Sequence, residues 1–291
     1  MIVIGTRGSK LALVQAHWVS GELTRNGMDN EIKVLKTKGD IVQDRFDKME
    51  GKGFFTKEIE DALLDGTIDL AVHCLKDLPT EESPGLTVRA IPEREDPFDV
   101  LISAKPFVFD ADGVPNLEGL NIGTSSNRRV QALADRNPTA RFTPLRGNVP
   151  TRIAKMERGD SDVVVLARAG LNRLELDLSH LHVYLCQPPL MTPAPGQGAL
   201  ALQTRTDDTR DISFFHYQPT ALCVEAERKI LNALEGGCQL PLGVLIAPVE
   251  EGYVMDLFMG TVSGEGKPLK LHLTGADPTS LAQEALAHIT R

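Results

Sequence analysis

Apolar and polar positions along this chain follow two rhythms, one of short apolar runs and one of stripes at helical spacing. Ile2-Val3-Ile4 is a short apolar strand that leads into Gly5-Thr6-Arg7-Gly8-Ser9. Ser9 stands where an N-cap belongs, ahead of a helix with Leu13, Ala16 and His17 on one stripe. Residues 32–36 alternate as a second strand. Thr56 is placed to cap a further helix, with Glu58, Glu60 and Asp61 in its first two turns and Gly66 past its end. A strand over 68–72 then runs into His73-Cys74-Leu75-Lys76-Asp77-Leu78-Pro79. Strands separated by helices predict a mostly parallel α/β sheet.

The same order restarts near residue 120. Residues 120–123 form a strand, and Thr124-Ser125-Ser126 caps a helix with Val130 and Leu133. A strand over 141–145 follows, then a helix with Asn148 as N-cap and Pro150 in its first turn. Residues 162–167 read as a buried strand, and 168–174 begin the next element. Between the two units lies Glu93-Arg94-Glu95-Asp96-Pro97, which suits a crossover, and the proline-rich stretch 188–195 suits a return. Two crossovers imply two α/β lobes with a cleft between them, with 196–205 rejoining the first lobe. From about His216 the pattern changes. A helix capped by Thr220 and running to Leu234 leads to a tight loop, Glu235-Gly236-Gly237-Cys238-Gln239. Strands over 244–248, 253–262 and 269–273 follow, and a last helix starts near Pro278. The expected division is 1–97 with 194–212, 98–193, and a small α+β domain over 213–291 that carries the cysteine loop.

Composition narrows the function classes. The chain has 291 residues, 42% apolar and 24% charged, which suits a globular protein of two or three modest domains. No apolar run approaches the roughly 20 residues that span a bilayer. Met1 runs directly into a strand rather than a basic, apolar leader, so a cytoplasmic protein is expected. Cys74, Cys186, Cys223 and Cys238 show no C-x-x-C spacing, which argues against a disulfide framework and against a zinc site. The net charge of −9 disfavours nucleic acid, yet residues 123–173 carry ten Lys/Arg against four Asp/Glu, a local balance of +6. Nine of those ten are Arg, whose planar fork suits carboxylate and phosphate.

Position along the chain gives these residues a candidate role. Ligands of open α/β sheets sit beyond the carboxyl ends of strands, where helix N-termini point amide groups outward. Arg7-Gly8-Ser9, Thr124-Ser125-Ser126 with Arg128-Arg129, and Arg146-Gly147-Asn148 with Arg152 all occupy such places. Three such turns suggest a ligand with several anionic groups; the alternative is that each Arg caps local carbonyls or pairs with nearby acids. Lys76-Asp77 also follows a strand. Asp77 there is suited to stabilise a developing cation and shuttle protons, while Lys76 holds anionic groups. The alternative is a surface ion pair. Cys223 lies in a helix between Leu222 and Val224 and is expected to be packed; Cys74 and Cys186 lie near strand ends. Cys238 follows two glycines in a loop, either as an attachment point or as a plain thiol.

Taken together, these segments resemble the hydroxymethylbilane synthase (porphobilinogen deaminase) family, and the resemblance runs nearly the whole chain in order. It rests on Gly5-Thr6-Arg7, Gly39-Asp40, Gly51-Lys52-Gly53-Phe54-Phe55, His73 to Pro79, and Glu93-Arg94-Glu95-Asp96-Pro97. It continues through Gly123-Thr124-Ser125-Ser126 with Arg128-Arg129, Leu145-Arg146-Gly147-Asn148 with Thr151-Arg152, Pro195-Gly196-Gln197-Gly198-Ala199, and Leu234-Glu235-Gly236-Gly237-Cys238-Gln239-Leu240-Pro241. The resemblance implies a dipyrromethane cofactor held by a thioether to Cys238, four porphobilinogen units added head to tail with loss of ammonia, and release of linear hydroxymethylbilane by water. It implies Asp77 as the catalytic group. Lys76, Thr124, Ser125, Ser126, Arg128, Arg129, Arg146 and Arg152 are expected around the cofactor, and Arg7, Ser9, Lys52, Arg173 and Gln197 around substrate. No metal is expected, and a monomer is. Many relatives have Ser where this chain has Cys74. A rival of another class is a two-lobed anion receptor or regulator domain of the periplasmic-binding-protein type, which leaves the third domain and its cysteine loop without a role. A different cysteine-nucleophile enzyme would need a His base, and none is adjacent to Cys238 in sequence.

Overall fold

The computed structural model describes residues 1–35, 56–234, 240–261 and 266–289. In chain order the strands and α-helices are β1 (Ile2–Arg7), α1 (Lys10–Arg25), β2 (Asn30–Leu35), α2 (Lys57–Leu64), β3 (Leu70–Cys74), β4 (Leu86–Ala90), β5 (Asp99–Ser103) and β6 (Asn121–Gly123). Then come α3 (Asn127–Ala134), β7 (Arg141–Thr143), α4 (Val149–Glu157), β8 (Val163–Ala167), α5 (Arg168–Leu174), β9 (His182–Cys186) and β10 (Leu200–Arg205). The chain closes with α6 (Gln218–Ala233), β11 (Leu242–Val249), β12 (Gly252–Met259), β13 (Leu269–Gly275) and α7 (Pro278–Ile289). Two compact units emerge, 1–95 with 199–222, and 96–198 with 223–291.

In the first unit a five-stranded sheet has the order β2-β1-β3-β10-β4. Ile2, Ile4, Leu70 and Val72 turn one face toward α1, where Ala16, Val19 and Leu23 are fully buried. Each such Val, Leu or Ile side chain contributes about 1.5–3 kcal/mol on burial. Ala71 on the opposite face meets Ile59, Ala62 and Leu63 of α2. The alternation of residues 70–74 is therefore buried on both sides.

The second unit holds two sheets. One has the order β7-β6-β8-β5-β9, with Leu101, Ile122, Val163 and Val165 packed on Leu133 of α3, and Val100, Val164 and Leu166 on Ile153 and Met156 of α4. The other is the antiparallel meander β11-β12-β13, covered by α6 and α7 through Cys223, Ile230, Val244, Met255, Leu257 and Leu281.

The α/β class expected from the strand–helix alternation is present, but the sheets are mixed rather than mostly parallel. Where a helix links consecutive strands the neighbours are parallel, as in β1 with β2 and β3, and β6 with β7 and β8. β10 enters its sheet directly from the proline-rich return and runs antiparallel to both β3 and β4. β5 lies antiparallel to β8 and β9. A right-handed helical crossover enforces parallel pairing; a strand arriving without one is not so constrained. β10 does rejoin the first sheet, as the sequence indicated.

Two caps in the first unit also differ. Thr56 precedes α2 but makes no side-chain cap, being itself in helical backbone geometry. Thr220 lies inside α6, and its Oγ1 accepts from the Arg94 amide at 3.0 Å instead of capping.

Candidate active site

Each unit presents its candidate residues at strand ends. In the first, Arg7 closes β1 and Ser9 caps α1, its Oγ accepting from the Ala12 amide at 3.3 Å. β3 ends at Cys74, and a 3-10 turn, Leu75–Asp77, follows at once. The Leu75 amide donates to the Ala199 carbonyl at 3.0 Å and the Leu78 amide to Leu75 at 3.2 Å, so the turn is held at both ends. Leu75 points inward and is buried; Lys76 is half-buried and Asp77 is exposed. Behind the turn, the buried Gln15 donates its Nε2–H to Cys74 Sγ at 3.3 Å.

In the second unit the helix N-termini fall where the Ser/Thr/Asn signals indicated. Ser126 occupies the N-cap position of α3 without a side-chain cap, while Thr124 Oγ1 accepts from the Ser126 amide at 3.3 Å. Ser125 is exposed, and its Oγ donates to the Leu145 carbonyl at 3.3 Å. Asn148 caps α4, its Oδ1 accepting from the Thr151 amide at 2.9 Å and hydroxyl at 2.7 Å. Gly147 has φ +117°, and a Cβ there would lie 2.7 Å from Thr151 Cγ2, so only glycine makes this turn. Arg146 and Arg152 are half-buried on either side of it, and Arg152 Nε donates to the Gly147 carbonyl at 2.7 Å.

The structure converges Arg128, Arg129 and Gln197 on one carboxylate, Asp99, which is fully buried at the start of β5. Arg128 Nη1 donates to Asp99 Oδ2 at 2.8 Å and to the Thr192 carbonyl at 2.7 Å. Arg129 reaches Asp99 Oδ1 through Nη2 at 2.7 Å and Nε at 3.1 Å, and its Nη1 donates to the Val165 carbonyl at 3.0 Å. Gln197 Nε2 donates to the same Oδ1 at 3.0 Å and to the Pro97 carbonyl at 2.7 Å. The two guanidiniums are only 4% and 7% exposed. Burial pulls the Arg128 pKa down from its ordinary value, against the attraction of Asp99. Among the described residues two buried cations face one buried carboxylate here. Arg173 Nη2 donates to the Gly198 carbonyl at 2.6 Å, one residue from Gln197.

Lys52 and Cys238 lie outside the described residues, as do Gly39-Asp40 and Gly51-Lys52-Gly53-Phe54-Phe55. Cys223 is buried in α6 as expected; Cys186 is buried at the end of β9, its thiol pKa pushed up by burial.

Three residues escaped the sequence reading. Asp99 opens a wholly apolar run, Val100 to Ile102, and a carboxylate there implies a buried partner. Gln15 shares the α1 stripe with Val19 and Leu23. Glu227 sits on the apolar stripe of α6 with Cys223 and Ile230, fully buried, and accepts the amides of Gly196 at 2.7 Å and Ile246 at 2.9 Å. A polar residue on an apolar stripe was the available signal in each case.

Fold and site thus define a class: a mixed α/β protein with arginines, hydroxyls and an exposed carboxylate gathered in the turns that follow its strands. Residues 2–213 match the model of the porphobilinogen deaminase dipyrromethane cofactor binding domain, and 221–274 that of the porphobilinogen deaminase C-terminal domain. The chain is 45% identical over 272 residues to the porphobilinogen deaminase of Nitratidesulfovibrio vulgaris strain DP4, covering 91% of this chain and 84% of that one. It is 43% identical over 291 residues to that of Oceanobacillus iheyensis, covering 98% and 92%. The chain belongs to the porphobilinogen deaminase family. Among solved structures, the periplasmic VFT2 domain of Bordetella pertussis BvgS is 15% identical with a TM-score of 0.43, covering 72% of this chain and 82% of that one. No helix among the described residues is long and apolar enough to cross a membrane.

Proposed function

We propose that this chain is a hydroxymethylbilane synthase, which joins four porphobilinogen molecules head to tail, releases one ammonia at each addition, and frees linear hydroxymethylbilane with water. The observation that carries the reading is the charge of the Asp99 cluster, two buried guanidiniums against one carboxylate, in a member of this family. A buried charge in excess is costly unless an anion meets it. The dipyrromethane group bears several carboxylates, so the donor set fits it. When bound, that group supplies a covalently held pyrrole terminus on which the product chain is built.

The chain's own residues take these proposed roles. Cys238 is the attachment point. Arg128, Arg129, Arg146, Arg152 and Lys76, with the hydroxyls of Thr124, Ser125 and Ser126, hold the cofactor's carboxylates. Arg7, Ser9, Lys52, Arg173 and Gln197 serve incoming substrate. Asp77 is the catalytic carboxylate: exposed on its turn beside Lys76, it stabilises the cation left when porphobilinogen loses ammonia and moves protons. The protein is read as a cytoplasmic monomer that binds neither nucleic acid nor membrane, a reading its net charge of −9 supports. Residues 213–291 are read as the domain that carries the cysteine loop.

The test is the intact mass of the purified protein with peptide mapping over Cys238, before and after incubation with porphobilinogen. Added mass equal to two deaminated porphobilinogen units on Cys238, with ammonia release during turnover, is the expected result. Binding of porphobilinogen without adduct or ammonia would overturn it in favour of a two-lobed anion receptor.

A further inference from the structure

We propose that His73 is a positioning residue for the Lys76–Asp77 turn, acting through a hydrogen-bonded chain that runs His73–Gln203–Glu60–Ser83, buried at its first two members and half-buried at the last two. His73 Nε2 lies 3.0 Å from Gln203 Oε1, Gln203 Nε2 donates to Glu60 Oε1 at 3.0 Å, and Ser83 Oγ donates to Glu60 Oε2 at 3.0 Å. The chain joins β3, its sheet neighbour β10, helix α2 and the loop before β4. His73 and Gln203 are 6% and 1% exposed.

The polarity of this chain is set by its acidic end. A carboxylate only accepts, so Glu60 takes an N–H of the Gln203 amide. That orientation turns Gln203 Oε1 toward His73, and His73 must then carry its proton on Nε2. Burial keeps the imidazole neutral, its pKa pushed down to about 4 against the opposing effect of the hydrogen bond it donates to Gln203. One tautomer and one ring orientation satisfy the arrangement.

The location gives the chain its consequence. β3 is anchored near its end by a polar contact on each face, Cys74 with Gln15 beside α1 and His73 with Gln203 toward α2. The turn that bears Asp77 departs from this end with no spacer. An apolar side chain at 73 would extend the cluster of Ile59, Leu63 and Ala71 without the desolvation of three polar groups. Apolar packing tolerates small sliding along a strand; hydrogen bonds in series have one register. A displacement of about 1 Å at a reacting group can cost on the order of 100-fold in rate.

The inference rests on the synthase reading, and the experiment separates the two. Turnover of porphobilinogen is measured for wild type, His73→Leu, His73→Gln and Gln203→Leu, each rate divided by the fraction of protein bearing the covalent adduct. Melting temperatures are recorded alongside. His73→Gln keeps an N–H donor near the position of Nε2, and His73→Leu does not. The expected result is a kcat at least about tenfold lower in His73→Leu with KM within about threefold, and recovery to within about threefold of wild type in His73→Gln. If His73→Leu does not fold, Gln203→Leu, which removes the acceptor, is expected to show the same split. Unchanged kcat with only a lower melting temperature, or a His73→Gln as impaired as His73→Leu, would overturn the proposal. Absence of turnover in wild type would instead overturn the synthase reading.

Discussion

Replacing Asp99 by Asn removes the carboxylate that two guanidiniums, each under a tenth exposed, converge on. The carboxylate accepts from Arg128 Nη1, from Arg129 Nε and Nη2, and from Gln197 Nε2. An amide in its place loses the charge and turns an NH2 group toward donors. Leaving buried charge uncompensated costs about 3–5 kcal/mol. For a unit of about 170 residues each kcal/mol moves the melting temperature by about 2–4 °C, so a fall of about 6–20 °C is expected. Arg129→Met is the informative partner. It removes the bonds to Asp99 and the Val165 carbonyl but leaves Arg128 and Asp99 as a balanced pair, so about 1–3 kcal/mol is expected. Thermal melts followed by circular dichroism, on protein shown by mass to lack the covalent group, compare the two. The charge arithmetic requires Asp99→Asn to be the less stable variant, while Arg129→Met loses cofactor loading. A Tm for Asp99→Asn equal to or above that of Arg129→Met would refute the reasoning.

Three shorter predictions follow from other sites. Asp77→Asn, at an exposed position, is expected to leave the melting temperature within about 2 °C of wild type while turnover falls about 10²–10⁴-fold, and near-normal steady-state turnover would remove Asp77 from the mechanism. His73 has a folded pKa below its unfolded value of about 6.5, so its contribution is complete above pH 6.5 and disappears as pH falls toward 4. About 3 kcal/mol should be lost across that window, read from urea unfolding at a series of pH values, and the loss should be correspondingly smaller in His73→Gln. Gly147→Ala forces φ +117° on a residue with a Cβ and is expected to cost about 1–3 kcal/mol, measured by denaturant unfolding; a neutral result would mean that the turn relaxes.

Much of this protein was legible in its sequence. The helix starts at Ser9 and Asn148 are local, because a cap is a contact between residues three apart. The placement of Asp77 and Arg146 just past strands, and of Arg152 in the first turn of α4, was equally local, since a strand, a short turn and a helix start can be read from consecutive residues. The order of the family's motifs could be recognised for the same reason.

Strand direction, and the partners of buried polar groups, were decided only in three dimensions. Nothing near Leu200 states that β10 enters between β3 and β4 and runs against both, because that depends on where the return crossover delivers the chain. Arg128 and Arg129 read as donors for an anionic ligand, with caps on local carbonyls or pairing to nearby acids as the alternative. Their convergence on Asp99, about 30 residues away in sequence, is fixed by β5 and α3 packing in one core. His73 likewise read only as the residue after a strand over 68–72, and its partner Gln203 lies 130 residues away. Local patterning sets which backbone groups are satisfied within an element, but a buried side chain's charge and hydrogen bonds are balanced by whatever the tertiary fold brings beside it.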